Sequence, residues 1–295
     1  MSATASVPRI AAELTCLESS PRQAIAALAD LDIYRGKVTV ITGSPGAGKS
    51  SLIHRLLNML AHRGERVGAI LIDPSSPVTG GALLGDRLRM IDCGVGDNVF
   101  LRSVAARSGA ESVGTVAPVM AWTLLNRGFD HVFIESVGIG QQELDVSRRG
   151  EVLNLILGPD SGDWVQFIKS GVLDLCDVIA VTKADLGTVS LVSEIKQAVR
   201  LQSFRSRPVP VIPVSSRSGT GITELVSAID KAHEMSAGQR AASRAAVVRD
   251  ILARLVMEES RKRFDSVLGP HEADDWRADL NIAMNFIEAL PSPRK

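Results

Sequence analysis

The chain has 295 residues, of which 33 are basic and 33 are acidic, so its formal net charge is zero. This balance argues against a nucleic-acid-binding or anionic-membrane-binding surface, and no apolar run approaches the roughly 20 residues of a membrane-spanning helix. The three cysteines and five histidines are scattered, which argues against a protein-built zinc or nickel site. Residues 1–10 lack a signal-peptide pattern, so we expect a cytoplasmic protein.

Short apolar runs that do not alternate with polar residues predict the strands. The runs are Val38–Thr42, Val67–Asp73, Val99–Arg102, Val132–Glu135, Leu153–Leu157, Val178–Thr182 and Val209–Val214. Runs of this kind are typical of strands buried on both faces of a sheet. Helical patterns lie between most of them, at Lys49–Arg63, Thr115–Asn126, Val189–Leu201 and Ile222–Glu234. This alternation predicts an α/β protein with a doubly wound, mostly parallel sheet.

The regions before and after this alternation contain only helical patterns, which divides the chain into three parts. Residues 1–36 form a short helical segment, residues 37–235 contain the predicted sheet, and residues 236–295 form a C-terminal helical extension. The helices predicted outside the sheet region are Pro21–Leu28, Gln239–Phe264 and Ala273–Leu290.

A glycine-rich loop follows the first predicted strand and leads into a predicted helix. Residues 43–50 read G-x-x-x-x-G-K-S, and this strand–loop–helix context is the one that a phosphate-binding loop requires. The glycines allow successive backbone N–H groups to point at phosphate oxygens. Lys49 would reach the β- and γ-phosphates, and the Ser50 hydroxyl would hold Mg²⁺. The predicted nucleotide contacts are Gly43, Ser44, Pro45, Gly46, Ala47, Gly48, Lys49, Ser50 and Ser51.

Carboxylates stand at the ends of two other predicted strands. Asp73 ends the second strand and Glu135 ends the fourth. Because the carboxyl ends of parallel strands meet at one edge of a sheet, we expect both side chains beside Ser50. Their oxygens are the ligands that Mg²⁺ prefers. The glycine-rich segment Thr79–Asp86 follows, and Asp86 is a candidate for a further Mg²⁺ contact.

The last two predicted strands end in residues that indicate guanine as the base. The Asp185 carboxylate can accept hydrogen bonds from N1 and the exocyclic amine of guanine, whereas adenine would present an acceptor at N1. Lys183 would lie along the base, and the Ser216 N–H would meet the guanine O6. The predicted base-contacting residues are Thr182, Lys183, Asp185, Ser215, Ser216 and Arg217.

Together these motifs resemble those of the MeaB/MMAA (ArgK-type) GTPases, which belong to the SIMIBI class of P-loop GTPases. The motifs are the phosphate loop, Asp73-Pro-Ser-Ser with its Gly-Gly-x-x-x-Gly-Asp86 extension, Glu135-Ser-Val-Gly-x-Gly-Gln141, and Thr182-Lys-Ala-Asp185. The resemblance runs from about residue 38 to residue 222. It implies a homodimeric GTPase that binds GTP/GDP and Mg²⁺, gates cofactor loading of an adenosylcobalamin-dependent acyl-CoA mutase, and protects that mutase.

The same resemblance implies roles for individual residues. Ser50, Asp73, Asp86 and Glu135 match the family's Mg²⁺-site positions. The segment Gly158–Lys169 matches a third mobile loop near the nucleotide and the partner, and residues 236–295 are the expected dimerisation region. Thr182 stands where the family usually has Asn.

The residue that activates the attacking water stays open at this stage. Gln141 and Gln142 lie just past Glu135, where one of them could orient water, and Arg87 or Arg89 could neutralise charge in the transition state. The candidate catalytic residues are Lys49, Glu135, Gln141 and Asp86.

Three other functions are compatible with a phosphate-binding loop. A metal-delivery GTPase would need histidine or cysteine clusters near the N-terminus or after the second strand, and the sequence has none there. A phosphotransferase would need an acceptor pocket with a general base and a lid, and the sequence identifies neither. A scaffold that binds nucleotide without turnover is disfavoured only weakly by the Mg²⁺ residues.

Overall fold

Seven strands form one sheet in the computed structural model, which describes residues 7–32, 36–74, 98–106, 111–136, 152–159, 172–201, 208–235 and 237–268. The strands are β1 (Lys37–Gly43), β2 (Val67–Pro74), β3 (Val99–Ala106), β4 (His131–Glu135), β5 (Val152–Leu157), β6 (Val178–Val181) and β7 (Val211–Pro213). Their order is β3-β2-β4-β1-β5-β6-β7, and each neighbouring pair is parallel. The predicted doubly wound α/β fold is confirmed.

The described helices connect and flank these strands. They are α1 (Val7–Ser19), α2 (Pro21–Asp30), α3 (Lys49–His62), α4 (Glu111–Asn126), α5 (Val172–Leu175), α6 (Val189–Leu201), α7 (Ile222–Met235) and α8 (Ala237–Leu268). Every helix predicted within the described residues is present, with ends that differ by four residues or fewer. The helix predicted at Ala273–Leu290 lies outside the described residues.

The prediction of a single helix in residues 1–36 is wrong, because α1 precedes α2. Ile10, Leu14 and Leu17 of α1 are buried, and their spacing of four and three residues is the helical pattern that could have identified it. The short helix α5 was not predicted either. Its four residues are too few to show a helical repeat.

Each face of the sheet is covered by helices. Helices α3 and α7 pack on one face and α4 packs on the other. The α4 side chains are buried continuously from Val116 to Leu125, because α1, α2 and α8 form an outer layer over this helix. The two terminal regions therefore pack against the same central helix. The domain boundaries at residues 36 and 235 stay a prediction.

Helix α8 extends over 32 residues and joins the core through Ile251 and Leu255, both fully buried. Arg22 of α2 forms an ion pair with Glu259 of α8 at 2.9 Å, which links the two terminal regions directly. Neither α8 nor any other helix in the described part of the chain is long and apolar enough to cross a membrane.

Candidate nucleotide-binding site

The loop between β1 and α3 has the geometry of an anion-binding turn. A Cβ on Gly43 would lie 2.2 Å from the carbonyl oxygen of Ile156 in the neighbouring strand β5, so a larger residue would clash with the backbone. Gly48, the residue before α3, has a φ of 88°, which favours glycine. As predicted, α3 begins at Lys49. The N–H groups of its first turn and its positive dipole end therefore lie at the carboxyl edge of the sheet.

The side chain of Lys49 is held inside this loop. It is 7% exposed, and its Nζ donates hydrogen bonds to the carbonyl oxygens of Gly43 at 2.8 Å and Ser44 at 3.1 Å. These two carbonyls fix the ammonium group close to the backbone that would surround a phosphate. The remaining predicted contacts differ in burial: Ser44 and Ala47 are buried, whereas Pro45, Gly46 and Ser51 are exposed.

Ser50 and Glu135 meet as the sequence predicts. The Ser50 hydroxyl donates a hydrogen bond of 2.8 Å to Oε1 of Glu135, whose side chain is 8% exposed. The contact forms because β4 lies beside β1, with Glu135 in register with Ile41, and the phosphate loop returns from β1 to α3. A hydroxyl and a carboxylate oxygen at this separation are a donor set that fits Mg²⁺.

The other predicted metal and catalytic residues are only partly described. Asp73 lies two residues past Leu71, which is in register with Glu135, so its backbone is at the same edge of the sheet. Asp86 and Gln141 lie outside the described residues. Among the described side chains, no group of three or more His, Cys, Asp or Glu residues forms, so the predicted Mg²⁺ set rests here on Ser50 and Glu135.

The predicted base-contacting residues come together after β6 and β7. The two loops are joined by a backbone hydrogen bond of 3.0 Å from the Ala184 N–H to the Val214 carbonyl. A hydrogen bond from Ser215 lowers the pKa of the exposed Asp185 carboxyl, and the positive charge of Arg217 contributes. Asp185 is therefore ionised at neutral pH and able to accept the two guanine N–H groups.

The backbone of Lys183 is unusual for a residue with a side chain. Its φ is 57°, in the left-handed region that non-glycine residues seldom occupy. Such conformations persist where the surrounding structure imposes them. Here the strand β6 ends and the chain turns back toward Val214, which places Lys183 and Asp185 in the same turn.

Thr182 connects the base-contacting loop to the phosphate loop. Its hydroxyl lies 2.5 Å from the carbonyl oxygen of Ala47 and 3.2 Å from that of Leu157 at the end of β5. The residue is 3% exposed. This contact joins residues 135 positions apart, so the sequence motif predicted the location of Thr182 in the site but not this contact.

The sequence did not predict a hydrogen bond between two hydroxyl groups that lie next to the site. The Ser136 hydroxyl donates a hydrogen bond of 2.9 Å to the Thr42 hydroxyl, and both side chains are buried. The available signal was a polar residue near the end of each of two apolar strands, β1 and β4. Both residues directly adjoin predicted site residues, Gly43 and Glu135.

Comparisons with known proteins give the family of this chain and a shared fold. The family model described as methylmalonyl Co-A mutase-associated GTPase MeaB matches residues 10–267. A Pyrococcus abyssi protein is 38% identical over 199 residues, which cover 66% of this chain and 61% of the relative. The Mus musculus methylmalonic aciduria type A homolog, mitochondrial by its name, is 35% identical over 213 residues, which cover 69% of this chain and 51% of the relative.

The chain thus spans about half to three-fifths of the length of these curated relatives. Among solved structures, the LAO/AO transport system kinase superposes with a TM-score of 0.60 at 20% identity, covering 95% of this chain and 98% of that chain. This likeness shows a common fold.

Proposed function

The chain belongs to the family of methylmalonyl-CoA mutase-associated GTPases named MeaB, and we propose that it hydrolyses GTP to gate cofactor loading of an adenosylcobalamin-dependent acyl-CoA mutase. The family match over residues 10–267 is the observation that carries this proposal. In this role the protein would also protect the mutase, with the GTPase cycle as the timing signal.

Lys49, Ser50 and the phosphate loop would bind the triphosphate. The loop N–H groups and the N-terminus of α3 offer hydrogen-bond donors to phosphate oxygens, and the Lys49 ammonium, held by Gly43 and Ser44, adds a positive charge. Ser50 and Glu135 would hold Mg²⁺, with Asp73 and Asp86 as further candidates. When bound, Mg²⁺ neutralises charge on the β- and γ-phosphates.

Asp185 would select guanine over adenine. Its ionised carboxyl has two acceptor oxygens for the two N–H donors of guanine, and the Ser215 hydrogen bond that lowers its pKa also fixes its orientation. Gln141, or Gln142 beside it in the chain, would orient the attacking water. Both roles are proposals that rest on the motif positions.

Two further features of the proposal concern assembly. We expect a homodimer through residues 236–295, and α8 offers apolar surface for a second copy, since Val256 is 53% and Met257 is 63% exposed. The mutase would contact Thr79–Asp86, Glu135–Gln142 and Gly158–Lys169, which come in the chain at or after the ends of β2, β4 and β5. The bound nucleotide can change the affinity for the mutase only if it binds two conformations of this protein with different affinities.

Calorimetric titration with the cognate mutase tests this proposal. We expect the mutase to bind with different affinities when the protein holds GDP and when it holds a non-hydrolysable GTP analogue, and to raise the rate of GTP turnover. A Lys49→Ala variant is the control, because without nucleotide its mutase affinity should be the same in both titrations. Equal mutase affinity in both nucleotide states of the wild type, with an unchanged turnover rate, would contradict the chaperone role.

A further inference from the structure

Glu135, the last residue of β4, and Ser136, which follows it, face opposite sides of the sheet. Phe133 packs in the apolar cluster beneath α3, whereas Val132 and Ile134 pack in the cluster beneath α4. Because side chains alternate along a strand, Glu135 continues the α3-facing row and Ser136 continues the α4-facing row. The side chains of Glu135 and Ser136 can therefore form hydrogen bonds on opposite faces of the sheet.

Both faces are in fact used. On the α3 side, Glu135 accepts the 2.8 Å hydrogen bond from Ser50. On the α4 side, the Ser136 hydroxyl donates to Thr42 at 2.9 Å, and between the strands the Ser136 N–H donates to the Ile41 carbonyl at 3.0 Å. Ser136 and Thr42 are 2% and 4% exposed, so water does not compete effectively for this pair.

We infer that Ser136 is a positioning residue for Glu135, which it holds against Ser50 and thereby sets the affinity of the metal site. The Ser136 N–H bond to Ile41 holds the backbone after Glu135 between the strands, and the Ser136–Thr42 hydrogen bond adds a second anchor on the face opposite Ser50. Loss of this second anchor would let the chain shift at Ser136 and would move the Glu135 carboxylate relative to Ser50. This inference rests on the proposed function, because it requires metal-dependent GTP hydrolysis at Ser50 and Glu135.

Variants of the hydroxyl pair separate positioning from stability. Ser136→Ala leaves the Thr42 hydroxyl buried without its donor, which is destabilising, whereas combining Ser136→Ala with Thr42→Val removes both polar groups and should restore the melting temperature. We expect the single and the double variant to need about fivefold more Mg²⁺ than the wild type for half-maximal GTP turnover. This factor corresponds to the net free energy that one hydrogen bond contributes. Ser136→Thr keeps the hydroxyl and should retain the wild-type Mg²⁺ requirement.

The measurements are GTP turnover as a function of Mg²⁺ concentration and the melting temperature of each protein. A double variant with both the wild-type melting temperature and the wild-type Mg²⁺ requirement would overturn the inference, because the hydrogen bond would then only stabilise the fold. Glu135→Gln distinguishes this failure from that of the proposed function. If Glu135→Gln raises the Mg²⁺ requirement and the double variant does not, the positioning role alone is wrong; if neither does, the proposed metal site is wrong.

Discussion

Replacing Thr182 with valine would remove the hydroxyl that joins the base-contacting loop to the phosphate loop, while keeping the shape of the side chain. The hydroxyl lies 2.5 Å from the Ala47 carbonyl oxygen, and Thr182 is 3% exposed. Depriving a buried polar group of its partner costs about 1–3 kcal/mol. Since each kcal/mol shifts the melting temperature of a domain of this size class by about 2–4 °C, we expect a decrease of about 2–12 °C.

The same substitution should weaken GDP binding by about a factor of ten, the equivalent of about 1.4 kcal/mol. Without the hydrogen bond from Thr182, the phosphate loop is held less firmly, and part of the binding free energy of GDP is then spent on ordering it. Scanning calorimetry measures the first effect and isothermal titration with GDP the second. Thr182→Ser keeps the hydroxyl and is the matched control, with values close to those of the wild type. A Thr182→Val protein with the melting temperature and GDP affinity of the wild type would refute the reasoning.

Three other substitutions or conditions give defined outcomes. Asp185→Asn exchanges an acceptor for a mixed donor and acceptor, so GTP affinity should fall at least about tenfold and xanthine nucleotides should gain; an unchanged base preference in competition binding would contradict the assignment. Asn154 is fully buried, and neither polar atom of its amide has a hydrogen-bond partner among the residues that the structure describes, so Asn154→Leu should raise the free energy of unfolding by about 1–2 kcal/mol in urea titration; a loss of stability would contradict this expectation. Burial and the charge of Lys37 lower the pKa of His131 to about 3. Below pH 6.5 the unfolded chain therefore binds a proton at this histidine that the folded chain does not, and stability should fall by about 2 kcal/mol between pH 6.5 and pH 5. His131→Gln should remove this part of the pH dependence, and an identical pH profile in the two proteins would contradict it.

The sheet could be predicted from the sequence because its strands are covered on both faces. Their apolar runs do not alternate, and the helical repeats between them are long enough to detect. The N-terminal helix α1 escaped prediction, although Ile10, Leu14 and Leu17 carry the helical spacing. Its burial depends on α4, which it contacts directly although α4 lies more than 90 residues further along the chain.

The candidate site could be predicted where local motifs define it. The turn at Gly43–Gly48, the start of α3 at Lys49 and the meeting of Ser50 with Glu135 follow from a loop motif and from the common edge of a parallel sheet. Contacts between distant segments could not be predicted in this way. The Thr182–Ala47 and Ser136–Thr42 hydrogen bonds depend on which strands become neighbours, and a single sequence does not reveal the strand order.

The rate of GTP hydrolysis by the wild type and by Lys49→Ala, measured in Mg²⁺ with ATP as a competitor, tests the central claim most directly. The wild type should release phosphate from GTP, and ATP should compete poorly because Asp185 selects guanine. Lys49→Ala should show neither tight GTP binding nor turnover, because it lacks the ammonium group that Gly43 and Ser44 hold inside the loop. Equal turnover by the two proteins, or a preference of the wild type for ATP, would contradict the claim that this chain is a GTP-hydrolysing enzyme.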